Sequence, residues 1–305
     1  MRKQSTRLGE RALFVVIAAI ALSGCRTDSP VAPAASSLAP TSIDASRQAT
    51  TSGRILFLRF VDFANHLFSM DDDGTNVRLV SGAFASATFG SWAPDGKRIV
   101  ISATTPANPV PSLYIMNDDG TGVTPLTVPP SGCQDLYPST FGKAIAFVRT
   151  CPTTAALTLV DLDGGLTPLV DSVSAQVAPS PRTNEIVYSQ NGDLWRIDVS
   201  TREITRLTNT PGFEFQPAVS PNGKRIAFTL TELAIPRILT MNPDGTMITV
   251  VATEGISPVW SPDGKRIAFR TEAIPDVFVM NADGTGVTNL TQTPEFEAPM
   301  AWARY

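Results

Sequence analysis

The chain has 305 residues, 43% of them hydrophobic and 17% charged, enough for one large soluble domain or two small ones. Formal net charge is −4, and setting aside Arg2, Lys3, Arg7, Arg11 and Glu10 at the start leaves 20 basic against 27 acidic side chains. A mildly acidic surface with no basic stripe argues against nucleic-acid binding.

Residues 1–25 read "MRKQSTRLGERALFVVIAAIALSGC": a basic start, an apolar run from Ala12 to Leu22, and a small-residue end. As a helix that run covers about 16 Å, too short for a hydrocarbon core of about 30 Å, so it predicts a secretory signal rather than a span. The ending Leu22-Ser23-Gly24-Cys25 resembles a bacterial lipobox. The resemblance implies that Cys25 becomes the lipidated N-terminus. Arg26 follows it, not the Asp of the familiar inner-membrane retention rule, so the expected anchor is the outer membrane.

Residues 26–52, rich in Ala, Ser, Thr and Pro, bury too little apolar surface to offset ordering entropy, and predict a disordered tether. Its length corresponds to about 90 Å fully extended, or about 30 Å as a coil.

From residue 53 onward short apolar runs alternate with Pro, Gly, Asp and Asn, the pattern of an all-β protein. One phrase recurs six times: "MDDDGTNVRLVS" from Met70, then from Met116, Val160, Ile197, Met241 and Met280. The turn residues Asp73, Asp119, Asp163, Ser200, Asp244 and Asp283 fall 46, 44, 37, 44 and 39 residues apart. A second phrase lies between the copies: "WAPDGKRIVI" from Trp92, "YPSTFGKAIAF" from Tyr137, "PSPRTNEIVYS" from Pro179, "VSPNGKRIAF" from Val219 and "WSPDGKRIAF" from Trp260. A sixth unit is split between "RILFLRF" at Arg54 and "APMAWARY" at the chain's end, where alignment on Trp302 and alignment on Pro299 differ by one residue.

Each repeat of about 40 residues reads as four strands, with Asp-Gly or Asn-Gly hairpin turns between the first and second and between the third and fourth. Four-stranded units at this period predict a single six-bladed β-propeller of antiparallel blades over residues 53–305, closed by the C-terminal strand joining the N-terminal blade. Trp-Ser-Pro-Asp-Gly-Lys-Arg-Ile-Ala-Phe and Met-Asn-x-Asp-Gly-Thr resemble the repeat of the TolB-like propellers, a WD-repeat-like family. The resemblance covers the whole predicted fold and implies an envelope-associated, protein-binding role. The family's namesake carries an extra N-terminal domain for its part in the Tol–Pal system, and here the tether stands in its place.

His66, the only histidine, is expected in a loop and lacks the partners of a catalytic base. There is no Gly-x-Ser-x-Gly elbow, and the run Asp71-Asp72-Asp73-Gly74 lacks the alternating ligands and distal Glu of a calcium loop. The reading is therefore no metal and no cofactor. Cys133 and Cys151 bracket a hairpin centred on residue 142, which would set them opposite each other as a disulfide.

Inter-blade loops share one rim, and there Asp135, Glu214, Gln216, Glu254, Glu295 and Glu297 are expected to form an acidic mouth, with Phe213, Phe215 and Phe296 adding apolar contact. The resulting expectation is a monomeric exported lipoprotein, periplasmic or at the cell surface, whose propeller binds a protein or peptide. The alternative is an extracytoplasmic enzyme working on peptide or glycan through rim carboxylates. An acid/base pair in the central pocket would favour the enzyme.

Overall fold

The structure, a computed structural model, describes residues 53–232 and 235–304. The expected signal peptide with Cys25 and the expected tether lie outside the described residues.

The described elements are 24 strands in six four-stranded antiparallel sheets, a six-bladed propeller. Blade 1 holds β1 (Arg54–Val61), β2 (Ala64–Asp71) and β3 (Arg78–Leu79). Blade 2 is β4 (Ser86–Trp92), β5 (Arg98–Thr105), β6 (Asn108–Asn117) and β7 (Thr124–Pro125). Blade 3 is β8 (Gln134–Phe141), β9 (Ala144–Thr150), β10 (Ala155–Val160) and β11 (Leu166–Asp171). Blade 4 is β12 (Val177–Pro179), β13 (Glu185–Gln190), β14 (Asp193–Asp198) and β15 (Ile204–Arg206). Blade 5 is β16 (Phe213–Val219), β17 (Ile226–Thr231), β18 (Arg237–Met241) and β19 (Thr249–Ala252). Blade 6 is β20 (Ile256–Trp260), β21 (Arg266–Arg270), β22 (Phe278–Asn281) and β23 (Thr288–Asn289). β24 (Glu297–Ala303) returns to blade 1 and pairs with β1 as its innermost strand.

That pairing fixes the register left open by the sequence. Trp302 faces Ile55 as Trp260 faces Ile267 and Trp92 faces Ile99. A one-residue bulge between Leu56 and Phe57 then brings Pro299 opposite Phe57. Trp302 is thus the true counterpart of Trp92, and Pro299 sits one residue early.

The second strand of every blade contributes an isoleucine opposite the same inner-strand position: Ile55, Ile99, Ile145, Ile186, Ile226 and Ile267. All six are buried. Burial of each is worth roughly 1.5–3 kcal/mol. The neighbouring Ala268 and Phe269 are buried too, because blades pack face to face and cover both sides of the sheet. Six apolar clusters result, one at each junction between blades. The outer strands β3, β7 and β23 are only two residues long, which limits the exposed edge.

The Asp-Gly turns between third and fourth strands are more than hairpins. Asp73 Oδ1 accepts from both the backbone N–H and the hydroxyl of Thr75, and Asp119, Asp244 and Asp283 repeat the arrangement with Thr121, Thr246 and Thr285. The glycine of the turn has φ near +85° and also lies against the preceding blade. A Cβ on Gly284 would stand 2.0 Å from the carbonyl oxygen of Val251, and one on Gly120 2.5 Å from that of Val80. Two constraints therefore demand glycine here: a left-handed backbone and a close inter-blade approach.

His66 lies in β2, not in a loop; the β1–β2 turn is centred on Asp62 and Phe63. Cys133 and Cys151 are joined by a disulfide between the start of blade 3's inner strand and the end of its second. The turn register pairs Phe141 with Ala144, and a bulge between Leu136 and Ser139 shifts it by one, pairing Gln134 with Thr150. The bulge is what aligns the two cysteines.

Candidate functional site

Antiparallel order puts the turns between first and second and between third and fourth strands on one face, the turn face, and the second-to-third and blade-to-blade connections on the other, the loop rim. The six innermost strands line a central cavity of about 400 Å³. It runs from the inner-strand bulges to the prolines of the turn face, Pro181, Pro221 and Pro262. Arg54 and Ala303, at the paired ends of β1 and β24, lie on that same turn face.

Eight of the lining residues are proline, and none is Asp, Glu, Lys, Arg or His. Met300, Trp302, Trp260, Val219 and Val259 supply the larger apolar surface. Tyr137 is the one titratable side chain in the lining, and burial raises its hydroxyl above the ordinary value of 10.0, so it stays neutral.

The bulges shape the inner end of this cavity. Tyr137, Gln216 and Ser257 each adopt a left-handed backbone, with φ of 57°, 53° and 58°, and each precedes a proline. A non-glycine residue held there costs on the order of 1 kcal/mol or more, and such outliers cluster where structure serves a site. The bulges free backbone groups that neighbouring blades then take up. Gln216 Oε1 accepts from the Ser257 N–H at 2.9 Å and from the Thr229 hydroxyl at 3.2 Å. Between blades 2 and 3, the rings of Phe89 and Tyr137 meet at 4.1 Å between centroids.

The expected acidic mouth is not what the loop rim presents. None of its nine residues lines the cavity. Asp135, Glu214 and Glu297 are at most 1% exposed. They occupy equivalent positions at the start of their inner strands, and Asp135 and Glu297 reach across to the second strand. Arg149 grips Asp135 with two hydrogen bonds, Nε to Oδ1 at 2.7 Å and Nη2 to Oδ2 at 2.9 Å. Arg59 Nε donates to Glu297 Oε1 at 2.5 Å. Glu214 has no arginine opposite; its oxygens accept from the hydroxyls of Thr208 and Thr210. Burial, reinforced by the nearby Asp193 carboxylate, raises Glu214 above its ordinary value of 4.5, against the pull of those two hydroxyls. The direct cross-strand pairings Asp135–Arg149 and Glu297–Arg59 explain the burial: the acids staple two strands together.

Phe215, Gln216, Glu254, Glu295 and Phe296 are half-buried, and only Phe213, at 56% exposure, projects outward. The staples had a signal in the sequence. Arginine stands four residues after the repeat isoleucine only in Ile55-to-Arg59 and Ile145-to-Arg149, the two blades with a paired acid. The cavity had one as well, a proline two residues before the position of Trp260: Pro138, Pro217 and Pro258.

Among the described residues no His, Cys, Asp or Glu side chains are grouped in threes that could hold a metal ion. No helix among them is long and apolar enough to cross a membrane.

The chain is similar to a protein TolB homolog of Chlorobium luteolum, 30% identical over 180 residues, which is 53% of this chain and 41% of that protein. The chain thus spans about two fifths of the length of that curated relative. TolB of Acinetobacter baumannii superposes with a TM-score of 0.70 at 19% identity, covering 83% of this chain and 67% of that one. The putative TolB of Agrobacterium tumefaciens gives 0.63 at 17% identity, covering 82% and 91%. These structural likenesses concern the fold. The family model of the TolB beta propeller domain matches residues 137–303, more than half of the chain. With its repeats, its six closed blades and that match, the chain belongs to the TolB beta propeller domain family.

Proposed function

We propose that this protein is an exported lipoprotein, anchored through Cys25, whose propeller binds a protein or peptide partner in the cell envelope. The observation that carries the binding role is the charge-free cavity on the turn face, about 400 Å³ and lined by proline, tryptophan, methionine and small residues. That volume and lining suit an apolar segment of a partner, since recognition sites are concave and mostly apolar with few polar groups. Asp135 and Glu297 are held by arginines, and Glu214 is buried under two threonines, which gives rim-carboxylate catalysis little to work with. The lipobox ending at Cys25 and the 27 residues that follow support an anchored propeller, with the outer membrane as the expected site and a monomer as the expected state.

The test is capture of envelope proteins by the lipid-anchored chain after cross-linking, compared with Met300→Arg and Ser139→Arg. Both variants place a charge in the cavity and should abolish specific capture. Phe213→Ala on the opposite rim should leave it intact. Loss with Phe213→Ala alone would move the binding site to the loop rim and overturn the cavity reading.

A further inference from the structure

The residue three positions beyond the repeat isoleucine faces the next blade at the loop rim. In five blades it is Leu58, Ser102, Val148, Ser189 or Thr229, all buried. In blade 6 it is Arg270, at the junction with β24. There, a guanidinium takes the place of the small or apolar side chain that seals the other junctions.

Arg270 lies over the ring of Phe296, 4.7 Å from its centroid. Its one hydrogen bond is from Nη1 to the carbonyl oxygen of Thr271 at 3.3 Å. Guanidinium carries five N–H donors, so most of its donor edge is unused. Nine other arginines of the described chain make ion pairs, while no described carboxylate lies within ion-pair distance of Arg270. Glu272 is exposed on the following loop and acts on it only at longer range. Burial lowers Arg270 from 12.5 to about 10, opposed by Glu272, so it keeps its charge at neutral pH in a partly desolvated place. A flat, partly desolvated guanidinium backed by an aromatic ring is pre-organised for bidentate binding of a planar or tetrahedral oxyanion.

We infer that the junction between blade 6 and β24 is an oxyanion site, in which Arg270, held against Phe296, receives a carboxylate or phosphate group. It lies on the loop rim, opposite the mouth of the central cavity, and does not depend on the binding role assigned there. The two sources of the ligand chemistry are an acidic side chain or chain end of a partner, and a phosphate group.

The experiment titrates the full chain with glutarate and, separately, with inorganic phosphate at constant ionic strength, following the arginine Nε–Hε NMR signals. The expected result is a saturable shift of the Arg270 signal with one or both probes. Calorimetric titration should show binding at least tenfold weaker in Arg270→Leu, which installs the residue of blade 1, and several-fold weaker in Phe296→Ala. A response to glutarate alone assigns the site to carboxylates, a response to phosphate alone to phosphates, and either supports it. Should Arg270→Leu unfold, Arg270→Lys replaces it: the charge is kept, the fork is lost, and binding should weaken. No saturable response in the wild type, or equal affinity in wild type and variant, overturns the inference.

Discussion

Arg59 and Glu297 are 238 residues apart in the chain, yet Arg59 Nε and Glu297 Oε1 stand 2.5 Å apart across the seam where the last strand meets the first. Glu297 is wholly buried, and its second oxygen has no hydrogen-bond partner. Removing one member of a buried pair strands the other charge, at a cost of about 3 kcal/mol. Arg59→Ala should therefore lower stability by about that amount, while the double change Arg59→Leu with Glu297→Leu should lower it far less. Urea unfolding of the three proteins checks this; equal losses in single and double variants would refute it.

The seam itself is tested by deletion of residues 297–305. Without β24 the inner edge of β1 is open, with Ile55, Leu56 and Phe57 losing their cover. The expected outcome is loss of a cooperative thermal transition, read by circular dichroism. An unchanged melting temperature would contradict ring closure.

Two classes of turn glycine should respond differently to alanine. Gly96, with φ +68° and nothing within 4 Å of a new Cβ, should lose only the left-handed penalty, about 1–2 kcal/mol. Gly284, with φ +90° and the Val251 carbonyl oxygen 2.0 Å from the Cβ position, should lose distinctly more because the blades must part. Comparable losses in the two variants, measured by chemical denaturation, would remove the inter-blade role of the second class.

Acid should weaken the fold through the Asp-Gly-Thr turns. The hydroxyls of Thr121, Thr246 and Thr285, followed by their backbone N–H groups, hold Asp119, Asp244 and Asp283 below the ordinary 3.8. A carboxylate lowered in the folded state adds stability above the unfolded value of 3.8, and that stability is lost as pH falls through the folded value. Replacing the three threonines by valine should make the loss of stability between pH 6 and pH 3 shallower than in the wild type.

Glu214 acts with the opposite sign. Burial raises it above 4.5, so the cost of ionising it is absent at or below that pH and grows as pH rises through the folded value. Glu214→Gln should thus stabilise the protein at pH 7 relative to pH 4. An equal effect at both pH values in urea unfolding would show that Glu214 ionises freely.

The blade count and the turns were legible because the chain repeats them, and each repeat carries its own mechanism in Asp-Gly or Asn-Gly. The register at Trp302 was not, because Pro299 marks a bulge whose placement depends on β1, more than two hundred residues away. The rim was misread for a related reason. Glu297 and Asp135 look like surface acids in their own loops, and only the strand pairing brings Arg59 and Arg149 opposite them. The second duty of Gly284 was hidden too, since the Val251 oxygen it must clear belongs to the preceding blade.

A ring whose first strand waits for its last sets an order on biosynthesis. Until Glu297–Ala303 emerge from the ribosome, β1 lacks its inner partner, and blade 1 has only three of its four strands. Closure joins the two strands farthest apart in sequence of any described pair, which makes it a slow, late event. A nascent chain therefore cannot complete the native ring before β24 is available, however fast the other five blades form.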